Sequence, residues 1–75
     1  MYKRIRNLRE DKDLNQKQMA ELLSVAQTTY SDYELGKLNI PIPILIQLAQ
    51  FFQTSIDYLL ELTDDPRPYP RKRDK

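Results

Sequence analysis

The stretch Asn15–Gly36, NQKQMAELLSVAQTTYSDYELG, decides the fold. It reads as two short helices joined by a tight turn. Met19, Ala20, Leu22 and Leu23 give the first helix a buried face, and Asn15 stands where an N-cap is needed. Ser24 falls at the turn, Val25 follows it and packs inward, and the next helix starts near Gln27. Tyr30 and Tyr33, three apart, supply the inward side of that helix, while its other side stays polar. Gly36, the only glycine, stops it at a C′ position. Two helices that cross steeply need a small residue at the crossing, a turn residue that tolerates a tight backbone, and an apolar residue next. Ala20, Ser24 and Val25 meet those needs in register. An ordinary helical hairpin in a small bundle is the bland alternative, and the pattern alone leaves it open.

Working outward, the prolines stand only at 41, 43, 66, 68 and 70, so the first 35 residues lack the strongest helix breakers. Ile5, Leu8 and Arg9 share one face of a first helix over about residues 2–12, which Asp13 ends in a left-handed conformation. After Gly36 a loop leads to a fourth helix with Pro43 in its first turn, where a missing N–H costs nothing. Leu45, Leu48, Ala49 and Phe52 recur at core spacing, and Ile42 is placed to fold back on them as a staple. Ser55 caps a fifth helix carrying Ile56, Leu59 and Leu60 and ending near Leu62. The expected architecture is all-α: a compact five-helix domain over residues 1–63, then a basic, proline-containing flexible tail over 64–75.

Composition narrows the function. With 75 residues and neither Cys nor His, the chain has no disulfide, no ordinary zinc site and no Ser-His or Cys-His nucleophile to offer. A phosphate-cradling glycine loop is absent too, so the reading is no enzyme and no cofactor. The apolar run at 40–52 is interrupted by Gln47, Gln50 and two prolines, well short of the ~20 residues that span a bilayer. The start of the chain is charged rather than signal-like, which points to the cytoplasm, with no membrane role and no evident small-molecule ligand. Net charge is +1, but residues 1–9 carry +4, 10–65 carry −7 and 66–75 carry +4. The acidic middle opposes strong non-specific binding to nucleic acid.

LNQKQMAELLSVAQTTYSDYELGK followed by IPIPILIQLAQFFQTSIDYLL resembles the phage-repressor and Cro type of helix-turn-helix regulator, the xenobiotic-response-element family, over about residues 3–62. The resemblance implies a transcriptional regulator, a repressor by expectation, that binds double-stranded DNA as a homodimer. Its third helix, about 27–35, would lie in the major groove. By position, Gln16 looks like the family's phosphate-contacting glutamine at a helix N-terminus, with Lys17 beside it. Gln27, Thr28 and Asp32 match base-reading positions, Thr29 and Ser31 flank them, and Lys37 matches a phosphate contact after the helix. Arg9 and Glu34 match a buried pair that sets the angle between the first and third helices. The chain departs from the pattern at Asp13 and Ser24, where glycines are common, and at Ala26, where a Ser or Thr often caps the reading helix. Ile42 is apolar where some relatives place a basic residue. A second reading keeps the fold but uses the acidic middle to bind a protein, as an antitoxin-like or anti-repressor module; salt-dependent duplex binding separates the two.

Overall fold

The computed structural model describes residues 2–68. Among these, five helices and no strand are present: α1 (Lys3–Asp11), α2 (Gln16–Leu23), α3 (Gln27–Leu35), α4 (Ile42–Phe51) and α5 (Ile56–Leu59). The fold is all-α, as the sequence implies.

Each helix boundary has a chemical cause. Asn15 accepts from the backbone N–H of Gln18, and the Gln18 side chain accepts from the Asn15 backbone N–H, both at 2.8 Å. This reciprocal box satisfies two of the donors that a helix start leaves open. Ser55 caps α5 by accepting from the Tyr58 N–H at 3.0 Å. The start of α3, at Ala26, has no side-chain cap, as its residue type dictates. At or just beyond the other end of every helix stands a residue in the left-handed region: Asp13, Ser24, Gly36, Gln53 and Glu61, with φ between 54° and 78°. Only one of these five is glycine, so four side chains sit in a conformation that costs ordinary residues about 1–2 kcal/mol.

The core is centred on Ile5, Met19, Tyr30, Leu48 and Leu59, all fully buried, with Ala20, Leu23 and Tyr33 around them. α2 and α3 pack chiefly on each other, and Val25 N–H donating to Ala20 O at 2.9 Å closes the turn between them. The recurring apolar positions of α4 behave as expected at Leu48, Ala49 and Phe52, with Leu45 half-buried. Two expected core residues are not in the core. Leu22 is 44% exposed, because the stripe of Met19, Ala20 and Leu23 turns it off the buried face. Ile42 is 69% exposed and is no staple: it is the first residue of α4 itself, and its side chain stays outside the core that Ile40 and Ile44 on either side of it join.

The first residues of the expected tail are anchored to the domain. The Arg4 guanidinium donates to Tyr58 O at 3.1 Å and Thr63 O at 2.7 Å, reaches Asp64 at 3.5 Å, and lies 4.1 Å over the Tyr58 ring. Tyr58, which if exposed would suit a subunit seam, is half-buried beneath it. Thr54 Oγ1 donates to Pro66 O at 2.7 Å, and Asp65 accepts from Arg67 through a two-pronged pair. That pair holds the Asp65 carboxyl down at about 2, by the Arg67 side chain first and its backbone N–H second. The rest of the expected tail, including the Arg71–Arg73 basic run, lies outside the described residues.

Candidate nucleic-acid interface

α3 is a helix with two different sides. Tyr30, Tyr33 and Glu34 are buried, whereas Gln27 and Thr28 in its first turn are exposed and Thr29, Ser31 and Asp32 are half-exposed. The turn at Ser24, φ 59° and ψ 41°, joins α2 to α3 through three residues, and the exposed first turn of α3 follows directly on it. Past the helix, Gly36 is left-handed, and the N–H groups of Lys37 and Leu38 both point back at Asp32 O, at 2.9 and 3.4 Å. The exposed Lys37 is thereby fixed next to the end of α3.

A buried polar cluster clamps α3 against α1 and α2. Arg9 Nε donates to Glu34 Oε2 at 2.7 Å and Arg9 Nη2 to Glu34 Oε1 at 3.3 Å, while Arg9 Nη1 donates to Leu14 O at 2.7 Å. The Tyr30 hydroxyl donates to the same carboxylate, and Gln16 Nε2 adds a fourth bond to Glu34 Oε1 at 3.1 Å. Every buried side-chain polar atom among the described residues has a partner, so this charge pair is fully compensated. Burial alone drives the Glu34 carboxyl upward, but the bonds from Arg9, Tyr30 and Gln16 outweigh it and hold it below its ordinary value. Tyr30 is pushed well above the ordinary tyrosine range, by burial first and by Glu34 second. Arg9 is raised by its bond to Glu34.

The sequence-derived site residues therefore fall into two groups. Gln27, Thr28, Thr29, Ser31, Asp32 and Lys37 come together on and after α3. Gln16 and Lys17 occupy the first turn of α2, where backbone N–H groups lack intrahelical partners. Lys17 is exposed, but Gln16 is half-buried and tied to Glu34, which joins the second group to the clamp under the first. Sequence reasoning missed this bond and the part played by Tyr30, because nothing in local spacing connects residues 16, 30 and 9. The basic start of the chain contributes less free charge than its composition suggests. Arg4 and Arg9 are both committed to internal contacts, and Arg6 pairs with Glu10 at 3.4 Å.

α4 offers an anion little. Pro43 has no N–H, Ile44 N–H donates to Pro41 O at 3.0 Å, and Ile42 presents an alkyl side chain. Among the described residues no helix is long and apolar enough to cross a membrane.

The turn geometry, the buried clamp and the polar face of α3 together are those of a helix-turn-helix domain. Residues 5–59 match the Helix-turn-helix family, and the chain belongs to it, a family of DNA-binding transcriptional regulators. The chain is 41% identical over 69 residues to the uncharacterized HTH-type transcriptional regulator YobD of Bacillus subtilis (strain 168), covering 91% of this chain and 62% of that protein. It is 37% identical over 57 residues to the HTH-type transcriptional regulator AnsR of the same organism, covering 76% of this chain and 49% of that protein. It thus spans about half to three-fifths of the length of these curated relatives. No solved structure matches the chain with significance.

Proposed function

We propose that the protein is a sequence-specific DNA-binding repressor of the cytoplasm that reads the major groove with α3 as a homodimer. Gln27 and Thr28 are assigned to base edges, the first as a bidentate donor and acceptor to adenine, the second to a thymine methyl or a base edge. Asp32 is assigned to a cytosine amino group, the one base-edge partner that suits a carboxylate. Thr29, Ser31, Lys17 and Lys37 are assigned to the sugar-phosphate backbone, and Gln16 to a phosphate through its remaining N–H.

The observation that carries the reading is the two-sided character of α3. Its first-turn polar side chains are exposed while its opposite side is locked by Tyr30, Tyr33 and the Arg9–Glu34 pair. A solvated surface helix needs no such rigid backing, whereas readout by a few side chains does. Size supports the dimer: the molecule measures 38 × 28 × 24 Å, so two copies abreast fit half-sites centred ~34–36 Å apart. The names of the relatives, transcriptional regulators, agree with the reading.

Selection from a random duplex pool, followed by a salt titration on the selected site, tests it. Log affinity is expected to fall linearly with log salt, at about −0.9 per phosphate neutralised. The −7 charge of residues 10–65 favours the second reading, a protein-binding module on the same fold. No duplex retained even near ~50 mM salt would overturn the first reading.

A further inference from the structure

The described residues hold a groove outside the helix-turn-helix, between α4 and α5, with a volume of about 540 Å³. Ile46, Ala49 and Ile56 give it apolar lining, Gln50 and Gln53 add side-chain amides, and no ionisable side chain lines it. That lack of charge is local. Asp, Glu, Lys and Arg make up 31% of the chain, yet residues 38–56 contain none of them. Of the five helices among the described residues, α4 alone has no ionisable side chain, although Ile46, Gln47 and Gln50 are exposed on it. A helix face that stays in water ordinarily carries charge, so this one has the chemistry of a covered surface.

On the homodimeric reading above, we propose that a second copy of this chain covers the groove. Ile46 of each copy enters the groove of the other across a two-fold axis. Symmetry selects the occupant. Near such an axis a surface faces its own duplicate, so a charged side chain close to it meets its own sign. The exposed sides of α1 and α2 fail that condition, with Lys3, Arg6 and Glu10 on one and Lys17 and Glu21 on the other. The polar side of α3 is assigned to DNA, and α5 carries Asp57. The groove meets the condition in both its chemistries. Isoleucine packs on an apolar lining, and an amide, both donor and acceptor, bonds to its own counterpart. All of the −7 carried by residues 10–65 lies outside residues 38–56. Area sets the strength. A helix of 10 residues is ~15 Å long and ~10–12 Å wide, so one face of α4 covers a fraction of the ~800 Å² per copy of a standard interface. The free protein is therefore expected to pass from monomer to dimer only at high concentration.

Sedimentation equilibrium of the full-length protein without DNA tests the seam. Apparent mass is expected to rise with concentration toward twice that of one chain. Ile46→Arg, at a position 43% exposed and therefore tolerant of substitution, is expected to hold the protein monomeric throughout, with Tm unchanged. Variants at the exposed Gln50 read the two-fold arrangement itself. Gln50→Lys and Gln50→Glu are each expected to be monomeric alone, because like charges meet, and to associate when mixed. A chain that stays monomeric up to its solubility limit overturns the proposal and leaves the groove to a different protein. If that monomer still selects a single half-site, readout by α3 stands without the seam. Self-association undiminished by Ile46→Arg or Gln50→Lys also overturns the proposal, as does a Gln50 mixture that fails to associate. Dimerisation lost in the variants, with no duplex retained by the unaltered protein, upholds the seam and sinks the readout by α3 alone.

Discussion

Ser24 and Gln27 are three residues apart and act on different properties. Ser24 sits at φ 59°, where a Cβ is unfavourable, so Ser24→Gly is expected to stabilise the domain. The gain is about 1 kcal/mol after the entropy glycine loses on folding, or a rise in Tm of about 4–8 °C, read by thermal unfolding. The change leaves α3 untouched, so duplex preference is expected to stay the same. Gln27→Ala is the opposite case. Gln27 is exposed, so stability is expected to move by no more than about 0.5 kcal/mol. Affinity for the selected site is expected to drop by about 1–3 kcal/mol, with other sequences losing less. An equal loss across all sequences would reassign Gln27 to the phosphate backbone. Ile42→Lys adds a base to a side chain 69% exposed and is expected to be neutral for folding. If the start of α4 faces DNA, the salt slope steepens by about 0.9; an unchanged slope places that end of α4 away from the duplex.

At the scale of elements, the Glu34 carboxylate is where α1, α2 and α3 meet. Glu34→Gln leaves Arg9 as a buried charge without its counter-ion, which is expected to cost about 3–5 kcal/mol in urea unfolding. The pH dependence follows from the same groups. Glu34 titrates lower when folded than when unfolded, so its contribution is complete above its ordinary value of 4.5 and is lost as pH falls through the lowered folded value. Tyr30 titrates higher when folded, so its contribution is complete below its ordinary value of 10.0 and declines as pH rises beyond it. Stability is therefore expected to be flat between these limits and to fall on both sides, with Tyr30→Phe removing the alkaline fall. Much of this scale was legible in the sequence, and the misses have geometric reasons. The Asn15 cap, the Ser24 turn and the Gly36 stop are local chemistry and stand where residue type puts them. Leu22 was misjudged because, at ~100° per residue, it lies about 60° outside the arc shared by Met19, Ala20 and Leu23. Ile42 stands near the azimuth of the Leu45–Leu48 face, yet its side chain is exposed while Ile40 and Ile44 beside it meet the core, which spacing alone does not reveal. The Gln16–Glu34 bond joins residues 18 apart in sequence and required the folded coordinates.

For the whole molecule, charge on paper and charge available to a partner are different quantities. The +4 of residues 1–9 includes Arg4 and Arg9, both committed to internal contacts, so fewer cations are free to meet phosphate than composition suggests. That is why a second subunit enters the proposed function, since it doubles the phosphate contacts without changing either copy. The Arg4 clasp has a topological consequence. Tyr2 N–H donates to Glu34 O at 3.0 Å while Arg4 grips Thr63 and Asp64, so the start of α1 lies beside the segment that follows α5. A short bridge from Asp64 to the start of α1, with new ends cut into the exposed loop at 37–39, would give a circular permutant in which every helix keeps its neighbours.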